Sequence, residues 1–348
     1  MNFISLIGLL ALLGIAAALS YNFKQIKLKP IVWGLSLQFI FALIILRNDY
    51  LSFSGMGILG LLLITYLLQK DDKKLGGGIQ SIVILAVGGI IIGYGITMLG
   101  SNIGLFLIGL LLLMLLNSWL KWAQEYQRYV SALFVIVGVT YMIHNNITGQ
   151  YIFKNFSDKI AYFLSLSDFG AQFLFGNLAN SEHYFTAPNS SWPGFGFQFA
   201  FKVLPTIIFF GGFMSVLYYY GIMQKVIETI SHFMRWTIGT SGAETLSCSA
   251  NIFVGQTEAP LLIKPFLDQM TKSELLTIMV GGFATIAGGV LAGYISMGVP
   301  AGHLIAASVM SAPAALVIGK IIYPETEHSV TAGDVALPKI HVGSNAIE

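Results

Sequence analysis

An all-α polytopic membrane protein is the fold class this sequence predicts, and three observations predict it. The chain has 348 residues, of which 55% are hydrophobic and only 10% charged, with a mean hydropathy of +0.77; soluble domains carry about 25% charged residues. Apolar runs close to the ~20 residues a helix needs to cross hydrocarbon recur along the chain. One further apolar stretch is interrupted by Gly255, Pro260 and Glu258, where a simple span would be continuous. The expected architecture is about nine transmembrane helices plus one cytoplasmic re-entrant hairpin. The net charge of +2 gives no footprint for nucleic acid, and a lone cysteine, Cys248, excludes an internal disulfide framework or a multi-cysteine metal site.

The first apolar run, Met1–Ser20, has no charged segment before it and is long enough to span, so it reads as a first helix and not as a cleaved signal. Spans are expected at about 3–20, 31–46, 54–69, 79–100, 102–120, 129–144, 197–221, 275–297 and 302–322. Lys and Arg orient them, because cytoplasmic loops carry the excess. With the N-terminus outside and the spans alternating, four of the 18 basic residues (Arg47, Lys154, Lys159 and Lys202) fall outside and the other 14 inside. The opposite orientation inverts that ratio. Alternation holds only if 222–274 begins and ends on the cytoplasmic side.

That region contains Ser249–Pro265, "SANIFVGQTEAPLLIKP". Non-helical backbone at membrane depth is tolerated only where it is buried in protein or lines a wet cavity. Two short half-helices over 245–262, meeting at Gly255–Gln256, satisfy that condition and the charge parity together. Glu258 is an ionisable group inside an apolar flank, which marks a functional position; the bland alternative is a solvated cytoplasmic loop. Free carbonyls at a broken helix suit a small hard cation, with side-chain oxygens completing its shell. Asn251 supplies an amide oxygen. Gln256 offers a donor and an acceptor, matching an edge such as a nucleobase amide. The next span, Gly281–Gly298, is a second weak point, with Thr285 among Gly281, Gly282, Gly288, Gly289 and Gly293. Ordinary small-residue packing accounts for such glycines, but broken helices also point to a transport site.

"SANIFVGQTEAP" and "ATIAGGVLAGYISMGV" resemble the first half of the concentrative nucleoside transporter family. Phe199–Gln224, "IGTSGAET" (Ile238–Thr245), "YPETE" (Tyr323–Glu327), "FLFGNL" (Phe173–Leu178) and the opening apolar run are similar to it as well, so the likeness covers about 1–47 and 155–327. The resemblance implies the first half of an inverted-repeat transporter fold and sodium-coupled nucleoside uptake by alternating access. It implies that Gln256, Thr257 and Glu258 face the nucleobase and that Val290 packs against it. It implies a sodium cage of the Asn251 and Thr285 side chains with the Val254 and Ile286 carbonyls; proton-coupled members tend to lack this Asn and Thr/Ser set. It further implies a homotrimer in a cell (inner) membrane, with a fixed scaffold and a moving transport domain. No cofactor is expected beyond sodium as the coupling ion, and the partners expected are nucleosides and lipid.

On that template, 1–47 holds the first two scaffold helices and 48–150 an inserted four-helix block without counterpart in compact bacterial members. Residues 151–221 hold an external segment and a long scaffold helix. Residues 222–322 hold an interfacial helix, the hairpin and two transport-domain helices, and 323–348 is a polar cytoplasmic linker. The family's second hairpin and its "NEFVAY"-like ribose motif do not occur in the sequence. The expectation is therefore an N-terminal portion, from a truncated gene product, a split gene or a fragment, active only with the missing C-terminal half, for which a separately encoded chain is one source. The alternative is a non-transporting fragment or scaffold. An intramembrane enzyme is not expected, since His144, His183, His232 and His303 are scattered and form no clustered motif with Cys248.

Overall fold

The computed structural model describes residues 3–69, 124–185, 192–331 and 333. The spans expected at 79–100 and 102–120 lie outside them, as does most of the polar tail. The described elements are helical, and the chain divides into two compact units, Met1–Gln38 with Asn155–Glu348, and Phe39–Lys154. Twelve α-helices are described: α1 (Phe3–Ala18), α2 (Leu28–Leu46), α3 (Tyr50–Gln69), α4 (Gln124–His144), α5 (Gly149–Ser165), α6 (Ser167–Phe175), α7 (Phe199–Tyr219), α8 (Ile222–Ile238), α9 (Gly242–Ala250), α10 (Lys272–Ala284), α11 (Gly288–Ser296) and α12 (Ala301–Ile322).

Among the described residues, five stretches are long and apolar enough to cross a membrane: 28–46, 50–68, 199–219, 272–296 taken across its break, and 301–322. A sixth is reached if the bent pair 128–144 and 149–183 counts as one span. The run at the N-terminus forms a shorter apolar helix, Ile4–Ala18.

In the unit Phe39–Lys154, α3 packs along α4 around Ile64, Leu68, Ala132 and Ile136. Two connections that lie 100 residues apart in sequence are tied together: the Thr148 hydroxyl donates to the Asn48 Oδ1 at 2.7 Å. The Gly149 N–H donates to the Ser52 Oγ at 3.0 Å, and that hydroxyl donates to the Ile44 carbonyl at 3.2 Å.

The other unit is built around α9. All nine residues of this helix are buried, although it carries Glu244, Thr245, Ser247 and Ser249. A helix buried on every side needs neighbours on every side, and here they are α8, α10, α12 and a 3-10 run, Ala259–Gln269. The apolar part of this core joins Met223 and Ile227 of α8, Leu246 and Ala250 of α9, Leu262 and Ile263 of the 3-10 run, and Ile278 of α10. Helix α12 packs on α10 and α1, and α11 packs on α7.

Two segments differ in detail from the expectation. The broken stretch is an α-helix on its first side only. Its second side is 3-10 and runs on to Gln269, with Pro260 in its first turn and Pro265 inside it, where that ring removes an N–H donor and crowds the preceding turn. The span expected at 275–297 is interrupted: α10 stops at Ala284, Thr285 is extended (φ −117°, ψ 159°), and α11 resumes at Gly288.

Candidate functional site

Two interruptions in the chain, 251–258 and 285–287, meet in the unit built around α9. A Cβ at Gly281 would sit 2.9 Å from the Cys248 Sγ and 3.4 Å from the Asn251 Nδ2, so the end of α9 lies directly on α10. A Cβ at Gly255 would sit 2.8 Å from the Ala287 Cβ, which brings the tip of the first interruption to the second. At Gly288 a Cβ would collide with the Phe253 carbonyl oxygen and lie 2.8 Å from the Phe210 ring. Only glycine admits this approach of α11 to the tip and α7. On the other side the Ser308 hydroxyl of α12 donates to the Ile252 carbonyl at 2.7 Å. The unwound residues are thus held from α10, α11 and α12 at once.

Asn251 is 0% exposed, and neither its amide oxygen nor its amide nitrogen has a hydrogen-bond partner within the protein. Leaving a buried polar group unsatisfied costs about 1–3 kcal/mol, a cost that a ligand taking the amide oxygen would offset. Thr285 is 9% exposed, and its hydroxyl donates to the Gly281 carbonyl at 2.9 Å. With its proton committed, its lone pairs are free to accept or to ligate. Val254 is buried at 8% exposure and Ile286 is half-buried. An uncharged set of amide, hydroxyl and carbonyl oxygens is a donor set for a hard cation and offers nothing to a soft one.

Gln256, Thr257 and Glu258 behave differently: all three are exposed at the tip. The Glu258 Oε2 accepts from the Gly255 N–H at 3.0 Å and from the Thr257 hydroxyl at 2.8 Å, which fixes the carboxylate over the turn. A Cβ at Gly282 would lie 3.1 Å from the Gln256 Cβ, so Gln256 stands over α10. Val290 is 46% exposed, in the first turn of α11. The buried oxygens and the exposed polar tip thus occupy one junction.

A second polar assembly lies at the other end of α9 and was not singled out from the sequence. Lys320 of α12 is 2.8 Å from the Glu244 Oε2, donates to the Ser273 hydroxyl at 2.9 Å and lies 3.3 Å from the Glu325 Oε2. Glu244 and Glu274 are both 0% exposed. The Glu244 Oε1 accepts from the Ser241 N–H at 2.8 Å, and the Glu274 Oε2 accepts from the Thr271 N–H at 2.8 Å. The Ser329 and Thr331 hydroxyls donate to the other Glu274 oxygen. The spacings Ser241-x-x-Glu244 and Thr271-x-x-Glu274 are those of capping boxes, a pattern open to sequence reading; their junction on Lys320 is not.

Comparison with known proteins bears on the fold and on the family. A family model described as "Nucleoside recognition" matches residues 200–301, and one described as "Na+ dependent nucleoside transporter N-terminus" matches residues 7–52. The chain is similar to an "Uncharacterized transporter" of Haemophilus influenzae, 43% identical over 231 residues, covering 66% of this chain and 52% of that protein. It is also similar to "Sodium/nucleoside cotransporter 1" of Rattus norvegicus, 50% identical over 181 residues, covering 52% of this chain and 26% of the relative. The chain therefore spans between a quarter and about half the length of these relatives. Among solved structures, a CNTnw variant in an outward-facing state matches with a TM-score of 0.63 and 29% identity, covering 99% of this chain and 57% of that one. CNTnw in an inward-facing substrate-bound state matches with a TM-score of 0.60 at 29% identity, covering 99% and 58%. The relatives carry the names of transporters and not of enzymes, and with sequence, fold and both family models in agreement, the chain belongs to the concentrative nucleoside transporter family.

Proposed function

We propose that the chain carries one half of a sodium-coupled nucleoside symporter working by alternating access in a cell (inner) membrane, with sodium as a transported ion and no other cofactor. The orphaned, fully buried amide of Asn251 beside the break at Thr285 is the observation that carries this reading. Asn251 and Thr285 supply side-chain oxygens to sodium, and Val254 and Ile286 supply carbonyls. Gln256, Thr257 and Glu258, exposed beside that cage, take the nucleobase, and Val290 packs against it. Coupling follows from the shared junction. Sodium satisfies Asn251, which stiffens 251–258, and the stiffened tip presents Gln256 and Glu258 in one geometry. A nucleoside then meets a preorganised edge and loses less binding energy to ordering.

On the same reading 245–262 is a re-entrant hairpin, the N-terminus lies outside and the tail in the cytoplasm. The assembly is a homotrimer, and the other wall of the cavity comes from a C-terminal repeat of the family. The test is uptake of labelled uridine by nucleoside-uptake-deficient cells expressing this chain together with a C-terminal repeat of the family. Accumulation is expected to require sodium, to be abolished by Gln256→Ala, and to need more sodium in Thr285→Val, which keeps the shape and removes an oxygen. Uptake driven equally well in sodium-free buffer by a proton gradient sinks the sodium assignment. Uptake untouched by Gln256→Ala sinks the base-binding one.

A further inference from the structure

We propose that Lys320 is a positioning residue that sets the register of α9 against α10 and thereby holds Asn251 at Thr285; its functional consequence rests on the sodium reading above. Where α9 meets α10 the contacts are small and smooth. Cys248 lies on Gly281, and its Sγ is 3.8 Å from the Thr277 carbonyl. Surfaces of this kind permit close packing but resist sliding poorly, because no group on either helix demands one partner. Buried charges with directional donors do demand partners, and fixing register is their best-attested structural use.

Lys320 is the one cation whose ammonium reaches both helices among the described residues. It is 7% exposed, and its three donors point to three places: Glu244 on the first turn of α9, Ser273 on the first turn of α10, and Glu325 in the segment after α12. Each partner is itself fixed. Glu244 takes the Ser241 N–H, Ser273 donates to the Tyr323 carbonyl at 2.6 Å, and Glu325 accepts from the Thr271 hydroxyl at 2.8 Å. The segment after α12 closes the ring, since the Gly242 N–H donates to the Thr331 carbonyl at 2.8 Å while Ser329 and Thr331 hold Glu274. Asn251 lies two helical turns from Glu244 along α9, so a slip at the base is delivered to the cage with little loss.

Cys248 is the only cysteine of the chain and is 0% exposed between the two clusters, which makes its alkylation rate a readout of this register that needs no sodium. Lys320→Met alone strands the Glu244 charge in the interior, so the main variant is Lys320→Met with Glu244→Gln, which leaves neither member of that buried pair charged, while the less buried Glu325 keeps its bond from Thr271. Purified in detergent, it is expected to keep its sodium-free melting temperature, to alkylate Cys248 at least ~10-fold faster, and to need at least ~10-fold more sodium for half-maximal thermal stabilisation. Ser273→Ala cuts the tie to α10 without stranding a charge and is expected to move both readings the same way by about threefold. Lys320→Arg keeps the cation beside a cavity of about 270 Å³ that accepts the larger head, and is expected to stay near wild type on both. Wild-type Cys248 rates and sodium midpoints in both the paired variant and Ser273→Ala overturn the proposal. Faster alkylation in a protein that sodium never stabilises, wild type included, upholds the register and removes the sodium reading.

Discussion

At the scale of single residues the site is built from one debt and one commitment. Asn251 keeps a buried amide unsatisfied, and Thr285 spends its proton on Gly281 so that its lone pairs are left over. The first makes a prediction with a definite sign. Asn251→Leu, with the same branched skeleton, somewhat greater bulk and no polar atoms, removes the unsatisfied amide and is expected to raise sodium-free stability by up to about 1–3 kcal/mol less the cost of the added bulk. It is expected to abolish the rise in melting temperature with sodium that linkage predicts for a wild type that binds the ion. Thermal unfolding in sodium against choline chloride checks both halves; a variant less stable without sodium and still stabilised by it would remove Asn251 from the cage. Asn251, Thr285 and the Gln256–Glu258 tip were legible because polar residues within apolar runs are few and each demands a reason. Lys320 was not. It sits at the polar end of an ordinary apolar helix, and its partner Ser273 is 47 residues away, so nothing local distinguishes it from a snorkelling lysine.

At the scale of elements, close approach decides where helices stop and how they cross. Gly319 of α12 faces α10, and a Cβ there would lie 2.6 Å from the Thr277 Oγ1 and 2.9 Å from its Cα. Gly319→Ala gains intrinsic helix propensity of about 1 kcal/mol, yet must push two buried helices apart, and the overpacking cost of about 1–3 kcal/mol is expected to win. The melting temperature should fall, with faster Cys248 alkylation, because α10 shifts on α9; an unchanged or higher melting temperature would show that the helices separate freely. Breaks were easier to foresee than their geometry. Gly255 and Pro260 announced a break at Gly255–Gln256, but the structure unwinds the whole of 251–258 and follows it with a 3-10 run, Ala259–Gln269. The sidedness of that segment is tested by labelling exposed positions on either flank. Thr229→Cys and Asp268→Cys, in a Cys248→Ala background, should both react with an impermeant thiol reagent from the cytoplasmic face. Reaction from opposite faces would turn the re-entrant hairpin into a span.

At the scale of the whole molecule, the contacts that build both polar assemblies fall within the unit Met1–Gln38 with Asn155–Glu348, among the described residues. Inside the other unit, Phe39–Lys154, the chain is pinned at one point, where Thr148 bonds Asn48 and Gly149 bonds Ser52. The ends of 49–147 are therefore already together, and α2 and α5 can be joined directly without stretching the backbone. Composition announced extra apolar segments here, but only the structure brings their two ends together, because a contact 100 residues apart leaves no periodic trace in sequence. Replacing 49–147 by a short Gly/Ser link is expected to leave Cys248 as unreactive as in the full chain. The sodium midpoint for thermal stabilisation should stay within about threefold, since no oxygen of the cage and no member of the Lys320 ring is removed. The comparison must be made at equal protein and detergent concentration, where only the affinity of the folded state sets the sodium dependence. A shortened protein that remains helical and monodisperse yet no longer responds to sodium would show that residues 49–147 are needed to keep the cage in shape.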